Sequence, residues 1–384
     1  MTNRERMLCA LSHKEGDRVP LDFGAGRSCK FHVLLYKRLL DHFGIKEEVK
    51  IGNKVSQLAT ASDKFLEVMG TDVRAIPGSW IKSTGGYTQE DWEDDNSYYW
   101  KDNWGTTMRM PKSSPLHYDM VDYPLLDRDG KEADDANYNW PNPSKLDPST
   151  ADVARKYQQD GYLTAFGEHF ANGFLQTGPK VYGFDQWLMM LAAEKERVHN
   201  FNEKLLSRKL EYYDNVLDVL GDTVDVIEEA DDLGTQVGPF ISRDMFREMI
   251  LPYWKAVWAH VHKKAPHVKI MLHSCGSVSH FLSDLIENGL QILNPVQTGA
   301  AQMSPGYLKK EFGKDLVFWG GGINTQSTLP RGTKEQIREE VKRTIAEFGP
   351  DGGFVFAAIH NMQADVPTEN FINTWEAYKE FSGY

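Results

Sequence analysis

The chain has little cysteine, no excess of positive charge and no long apolar run. Its three cysteines, Cys9, Cys29 and Cys275, are too few for a disulfide framework and fit a reducing compartment. Lys and Arg number 43 against 55 Asp and Glu, a formal net charge of −12. That balance excludes a general binder of the nucleic-acid backbone, which needs a basic surface. No stretch reaches the roughly 20 continuous apolar residues of a membrane span. The opening Met1-Thr2-Asn3-Arg4-Glu5-Arg6 runs into a mixed helical pattern, not the apolar core of a signal peptide. The expectation is a cytoplasmic protein that engages neither nucleic acid nor membrane. A Gly-x-Gly-x-x-Gly fingerprint after the first strand pattern is also missing, which argues against a dinucleotide-binding open sheet.

What is present is a regular beat. Short runs rich in Val, Ile and Phe alternate with helix-period segments, the mark of βα units. Eight runs read as strands: 19–23, 72–76, 162–167, 224–227, 269–272, 290–293, 316–319 and 353–357. Between them, 333–348 repeats Ile337, Val341 and Ile345 every four residues, with a Thr333/Gln336 capping box and Gly349-Pro350 as its stop. Ser304-Pro305 offers a second helix start, with a hydroxyl cap and Pro in the first turn. Eight repeats in one α/β domain spanning 1–384 predict a closed (β/α)8 TIM barrel, which leaves no sheet edge. Residues 77–148 break the beat as an aromatic-rich insertion after the second strand. Its acidic run Glu90-Asp91-Trp92-Glu93-Asp94-Asp95 reads as a solvated loop, and the aromatics of Tyr98–Trp104 as a hairpin. The insertion is either a structural flap or an aromatic wall over the mouth, with Trp80 a candidate substrate contact.

In such barrels catalytic residues lie just beyond the strands, at the C-terminal face. Polar residues following each run are Glu168 and His169, Asp231 and Asp232, His273 and Cys275, Asn294 and Gln297, then His360 and Asn361. His273-Ser274-Cys275 on extended backbone points imidazole and thiol to one side, a borderline-soft donor pair suited to Zn²⁺. Alone, the pair reads first as a hydrogen-bonded core His beside a small buried Cys. A third ligand from another strand end would turn it into a catalytic-type site, with His360 the first candidate and Glu168 the next. Glu168, Asp231 and Asp232 are candidates for acid–base work, although neighbouring aspartates on a strand face opposite ways and only one reaches the mouth. Gln297 and Asn361 are candidate substrate contacts. Gly320-Gly321-Gly322 reads as a tight turn, and His260, His262 and His267 as exposed surface.

These residues resemble the uroporphyrinogen decarboxylase superfamily, in particular its corrinoid-dependent methyltransferase branch. The likeness rests on Leu272-His273-Ser274-Cys275-Gly276-Ser277, Leu293-Asn294-Pro295-Val296-Gln297, Phe318-Trp319-Gly320-Gly321-Gly322-Ile323 and His360-Asn361-Met362-Gln363-Ala364-Asp365-Val366-Pro367. Arg4-Glu5-Arg6, Asp17-Arg18-Val19-Pro20 and Asp231-Asp232-Leu233-Gly234 extend it. The resemblance implies the barrel, and a zinc held by His273 and Cys275, with His360 where that branch usually has a second Cys. It implies methyl transfer between a small methylated substrate, ether or thiol, and the cobalt of a corrinoid carried by a separate partner protein. A homodimer also fits. The alternative is a decarboxylase of a porphyrinogen or smaller acid, using Arg27 with His360 or Asp231. Where decarboxylases carry Arg-Gln-Ala-Gly-Arg-Tyr, this chain has Gly24-Ala25-Gly26-Arg27-Ser28-Cys29, which leaves Arg27 as the one matching cation. Pro77-Gly78-Ser79 stands where the decarboxylases' essential Asp is expected.

Overall fold

The computed structural model describes residues 1–78, 84–128, 131–167 and 170–384. Seven parallel strands neighbour one another in chain order: Val73–Ala75, Leu163–Phe166, Val226–Ala230, Lys269–His273, Ile292–Asn294, Val317–Trp319 and Phe354–Val355. The segment around Leu21 fills the gap between the first and last. Asp22 donates its amide to the Phe356 carbonyl at 2.9 Å, and Phe356 donates to Pro20 at 2.8 Å. On the other side Asp72 donates to the Leu21 carbonyl at 2.9 Å. Pro20 has no N–H, so this stave carries a sparser ladder than its neighbours while still closing the ring. The result is the expected parallel barrel, and each strand run read from the sequence coincides with a stave.

Strand alternation sorts the core into two layers. Inward side chains such as Val73, Ala165, Val226, Met271, Ile292 and Val317 form one buried cluster inside the barrel. Met7, Ala10 and Leu11 of the helix Asn3–Leu11 join that cluster and plug its base. Outward side chains such as Ile227, Ile270, Leu272, Leu293 and Phe318 pack against the surrounding helices in the second, larger cluster. With the base plugged, only the C-terminal ends of the strands open to solvent. The helix Lys334–Phe348 starts with the predicted capping box, Thr333 accepting from the Gln336 amide and Gln336 reaching back. Helix Pro305–Phe312 starts at Ser304 as read, but its hydroxyl makes no capping bond.

The insertion contains the expected hairpin, Ser97–Lys101 paired antiparallel with Thr107–Pro111, and extends it on both sides. It builds a four-stranded antiparallel meander from Glu90–Glu93, Ser97–Lys101, Thr107–Pro111 and Asp119–Asp122. The acidic run is its edge strand, not a loop. Trp92 stacks on Tyr99, the ring planes 4° apart, while the acidic side chains stay in water and blunt the edge against further pairing. Asp94 then closes the turn, accepting from the amides of Asn96 and Ser97 at 2.8 and 2.7 Å. Trp104 and Trp140 anchor the insertion to the barrel, Trp140 packing on Phe201 of the helix Lys195–Leu220 at 4.9 Å. Among the described residues no helix is long and apolar enough to cross a membrane.

Candidate active site

His273 ends its strand level with Ala230 and Asn294 on the adjacent staves. Its Nδ1 lies 2.8 Å from Asn294 Oδ1 and 2.6 Å from Ser28 Oγ. Asn294 is itself fixed, because its Nδ2 donates to the Trp319 carbonyl at 2.8 Å. A carbonyl only accepts, so the Asn294 nitrogen must face Trp319 and its oxygen must face the imidazole. Nδ1 therefore carries the proton and Nε2 keeps its lone pair. That lone pair looks toward Cys275 Sγ, 3.4 Å away.

The chain leaves the strand through Gly276, whose φ of +85° suits glycine. A Cβ there would also lie 2.4 Å from the Gly234 carbonyl oxygen, so only glycine fits the turn that presents Cys275. Asp232 Oδ1 accepts the Cys275 amide at 2.8 Å, and Gln297 Oε1 accepts the Gly276 amide at 2.6 Å. His360 enters from beyond the last strand, its ring centroid 5.4 Å from that of His273. The candidate ligand atoms of His273, Cys275 and His360 all lie within 4.8 Å of one another.

Burial sets the protonation of this group. It holds the His273 imidazole below its ordinary value and brings His360 down to about 4, so both are neutral lone-pair donors near pH 7. Burial also pushes the Cys275 thiol up. A coordinated cation reverses that preference, because a metal-bound thiol loses its proton outright. Two imidazoles and a sulfur are the borderline-soft set that suits zinc, and three protein donors leave room for a further ligand. The residues present thus fit that metal.

His273 and His360 border a cavity of about 390 Å³ whose lining also includes Arg27, Lys30, Glu228 and Asp232. A second chamber of about 500 Å³ shares Arg27, Gln176, Lys180 and Asp232 and extends to Met108, Tyr118 and Phe240. The insertion therefore contributes apolar walls to the mouth. Lys180 is tied to the insertion through Asp102 at 2.6 Å.

A family model described as Uroporphyrinogen decarboxylase (URO-D) matches residues 174–381, more than half of the chain. The chain belongs to the uroporphyrinogen decarboxylase family. A solved methyltransferase from Methanosarcina mazei shares the fold at a TM-score of 0.65 and 17% identity, with 99% of each chain covered. No curated protein matches the sequence.

Within this URO-D chain, Asp232 and Asp231 part company as the alternation requires. Asp232 faces the cavity, with Oδ2 accepting from Gln176 Nε2 at 2.6 Å. Asp231 is fully buried on the outer face, where it accepts from the amides of Leu175 and Gln176 at 3.1 and 2.9 Å and from the Trp254 indole at 2.9 Å. Burial pushes its carboxyl up to about 7. Arg27 lines both chambers, and Asn361 lines the first, its Oδ1 accepting the Lys30 amide at 2.9 Å. Gln297 sits behind the Gly276 turn and lines neither chamber. Gly320 to Gly322 form a packed turn, since a Cβ at Gly322 would meet the Phe356 ring at 2.6 Å. Glu168 and Trp80 lie outside the described residues. His260 is half-buried against Asp214 rather than exposed, 2.9 Å away.

Glu228 is the cavity residue that strand-end reasoning misses. The run expected to stop at Ile227 continues to Ala230, which puts Glu228 inside the barrel rather than after it. The period-two pattern carries the signal: Val226, Glu228, Ala230 and Asp232 share one face, and Ile227, Glu229 and Asp231 the other.

Proposed function

We propose that this URO-D family member is a zinc-dependent methyltransferase that moves a methyl group between a small methylated substrate and the cobalt of a corrinoid protein. The observation that carries the reading is the convergence of His273, Cys275 and His360, with the His273 tautomer fixed by Asn294 so that Nε2 can ligate. Methyl groups on oxygen are poor electrophiles and thiols are mostly protonated near neutral pH. Bound zinc supplies a Lewis acid for the first case or holds a thiolate in the second.

The chain's own residues set the stage for either. Asp232 and Gln297 hold the 275–276 backbone, and so aim the Cys275 side chain at the imidazoles. Arg27, Lys30 and Asn361 supply polar contacts on the floor and wall of the cavity, while Met108, Tyr118 and Phe240 give the outer chamber an apolar side for a methyl-bearing body. The sequence contains no Asp-x-His-x-x-Gly corrinoid motif, so the cobalt arrives on a partner that docks at the open strand ends. Docking there excludes water from the cavity, which protects a strongly reducing cobalt from protons.

Metal analysis of untagged protein tests the reading. About one zinc per chain is expected, lost in Cys275→Ala. Methylation of added cob(I)alamin, followed by absorbance with a panel of methyl ethers and methyl thioethers, then fixes the direction and donor class. Zinc-free protein under non-chelating conditions overturns the proposal, and carbon dioxide release without methyl transfer favours the decarboxylase alternative.

A further inference from the structure

Glu228 stands deep in the barrel, level with Met271 and two residues below Ala230, which is level with His273. At about 3.3 Å per residue its backbone is some 7 Å beneath the three-donor group. Ala230, directly above it on the same face, is too small to block the way. Its carboxyl lines the same cavity as His273 and His360. Among the described residues its hydrogen bond is a single one, the Arg27 amide to Oε2 at 3.2 Å.

The neighbouring carboxyl is handled differently. Asp22, also fully buried, collects the amides of Ala25 and Gly26 at 3.2 and 3.1 Å and the Trp319 indole at 3.0 Å. Gly26 makes that wrapping feasible, since a Cβ there would lie 2.4 Å from Asp22 Oδ2. At Asp22 those donors oppose the upward push that burial gives its carboxyl, whereas at Glu228 a single amide does so. Burial first, and Asp22 second, push the Glu228 carboxyl up to about 7, with only partial opposition from Lys30 and Arg27. A buried acid of that kind, open to a cavity on one side, is the ordinary form of a general acid.

We propose that Glu228, which lines the same cavity as His273 and His360 from two residues deeper in the barrel, is the proton donor to the leaving oxygen of a methyl-ether substrate. This rests on the methyltransferase reading above. In the step, the electron pair of cobalt(I) forms the new cobalt–carbon bond as the methyl–oxygen bond breaks. The released pair stays on oxygen, which takes the Glu228 proton, so the products are an alcohol or phenol, methylcobalt(III) and the Glu228 carboxylate. An ether oxygen has two lone pairs, so one can accept this proton while the other faces the three-donor pocket.

The experiment compares wild type with Glu228→Gln, an isostere that keeps a hydrogen-bond donor but cannot transfer a proton. Zinc content and melting temperature are measured first. The rates of cob(I)alamin methylation are then read with two donors, the methyl ether of a weakly acidic phenol and that of a dinitrophenol. General acids contribute about 100-fold or more, so the variant should lose at least that with the first donor and stay within about threefold with the second. Infrared difference spectra at pH 6 should show a protonated-acid carbonyl band in wild type that is absent from the variant. Equal rates with both donors, or equal losses with both, would overturn the assignment while leaving the methyltransferase reading intact. Zinc-free, inactive wild type would sink both.

Discussion

The two faces of one strand, Val226–Ala230 and its continuation, carry four acidic side chains that the protein treats in opposite ways. On the outer face Glu229 is fully sealed, accepting from Lys209 Nζ at 2.9 Å and from the Tyr213 hydroxyl at 2.6 Å. Asp231 beside it holds two amides and an indole. On the inner face Glu228 has one amide among the described residues, and Asp232 presents its carboxylate to open space as well as to Cys275 and Gln176. Buried acids that only support the fold are saturated with donors, because an unmatched one would cost several kcal/mol. Carboxyls left short of partners are those beside a cavity, where a substrate can complete them.

The largest effect should follow from breaking the outer face. Lys209→Met leaves Glu229 buried without its cation and is expected to destabilise the fold by about 3–5 kcal/mol in urea titrations. Zinc content and turnover per folded molecule should stay at wild-type values, because neither residue lines the cavity. A cost below about 1 kcal/mol would break the comparison, since Glu229 would then be no better tied than Glu228.

The inner face predicts the opposite sign. The folded-state Glu228 carboxyl is raised from 4.5 to about 7. Between those values the folded chain keeps a proton that the unfolded chain has released, so this group works against folding progressively as pH rises and fully above about 7. Glu228→Gln should therefore raise stability by up to about 3 kcal/mol at pH 8, with no gain below about pH 4.5. Urea midpoints across that range check it. A stabilisation independent of pH would mean the carboxyl is not desolvated.

The same two faces explain what the sequence disclosed. The eight staves were legible because each is a short β-branched or aromatic run bounded by helix signals, and even the weak stave around Leu21 sits in such a run. His273, Cys275 and His360 were legible because they stand at strand ends, where a barrel gathers polar groups whatever the register. Glu228 was not, since its detection depends on the strand running three residues past Ile227, and strand ends are poorly marked when the next residues are Glu-Glu-Ala. Nor could pattern alone show that Asn294 fixes the His273 tautomer, because that needs the Trp319 carbonyl from a third stave. The insertion's edge strand was not legible for a related reason. It is acidic and exposed on both sides, so the hydrophobic alternation that identifies a half-buried strand is missing.

A smaller effect sharpens the inner side of the comparison. Asn294→Ala removes the acceptor that holds the His273 proton on Nδ1 but leaves all three donor atoms in place. Outer partners of metal-bound imidazoles are worth about 10–100-fold in affinity. Competition with a chromogenic zinc chelator should show a loss in that range, partly offset by the remaining Ser28 contact at 2.6 Å. An unchanged affinity would assign the tautomer to Ser28 instead.

The smallest effect belongs to a residue on neither face. Trp92 lies on the meander's edge strand, 43% exposed, with its ring stacked on Tyr99 at 5.4 Å. Cross-strand aromatic pairs contribute about 0.5–1 kcal/mol, and Trp92→Ala should cost no more than that in a urea titration. It lines neither chamber, so zinc content and methyl transfer should not move. Trp104→Ala offers the contrast within the same insertion, because Trp104 does border the cavity and packs on Phe170 and Trp140. If Trp92→Ala slowed transfer as much as Trp104→Ala, the meander edge would have to fold over the mouth during turnover, and the insertion would act as an aromatic wall along its whole length rather than at its root.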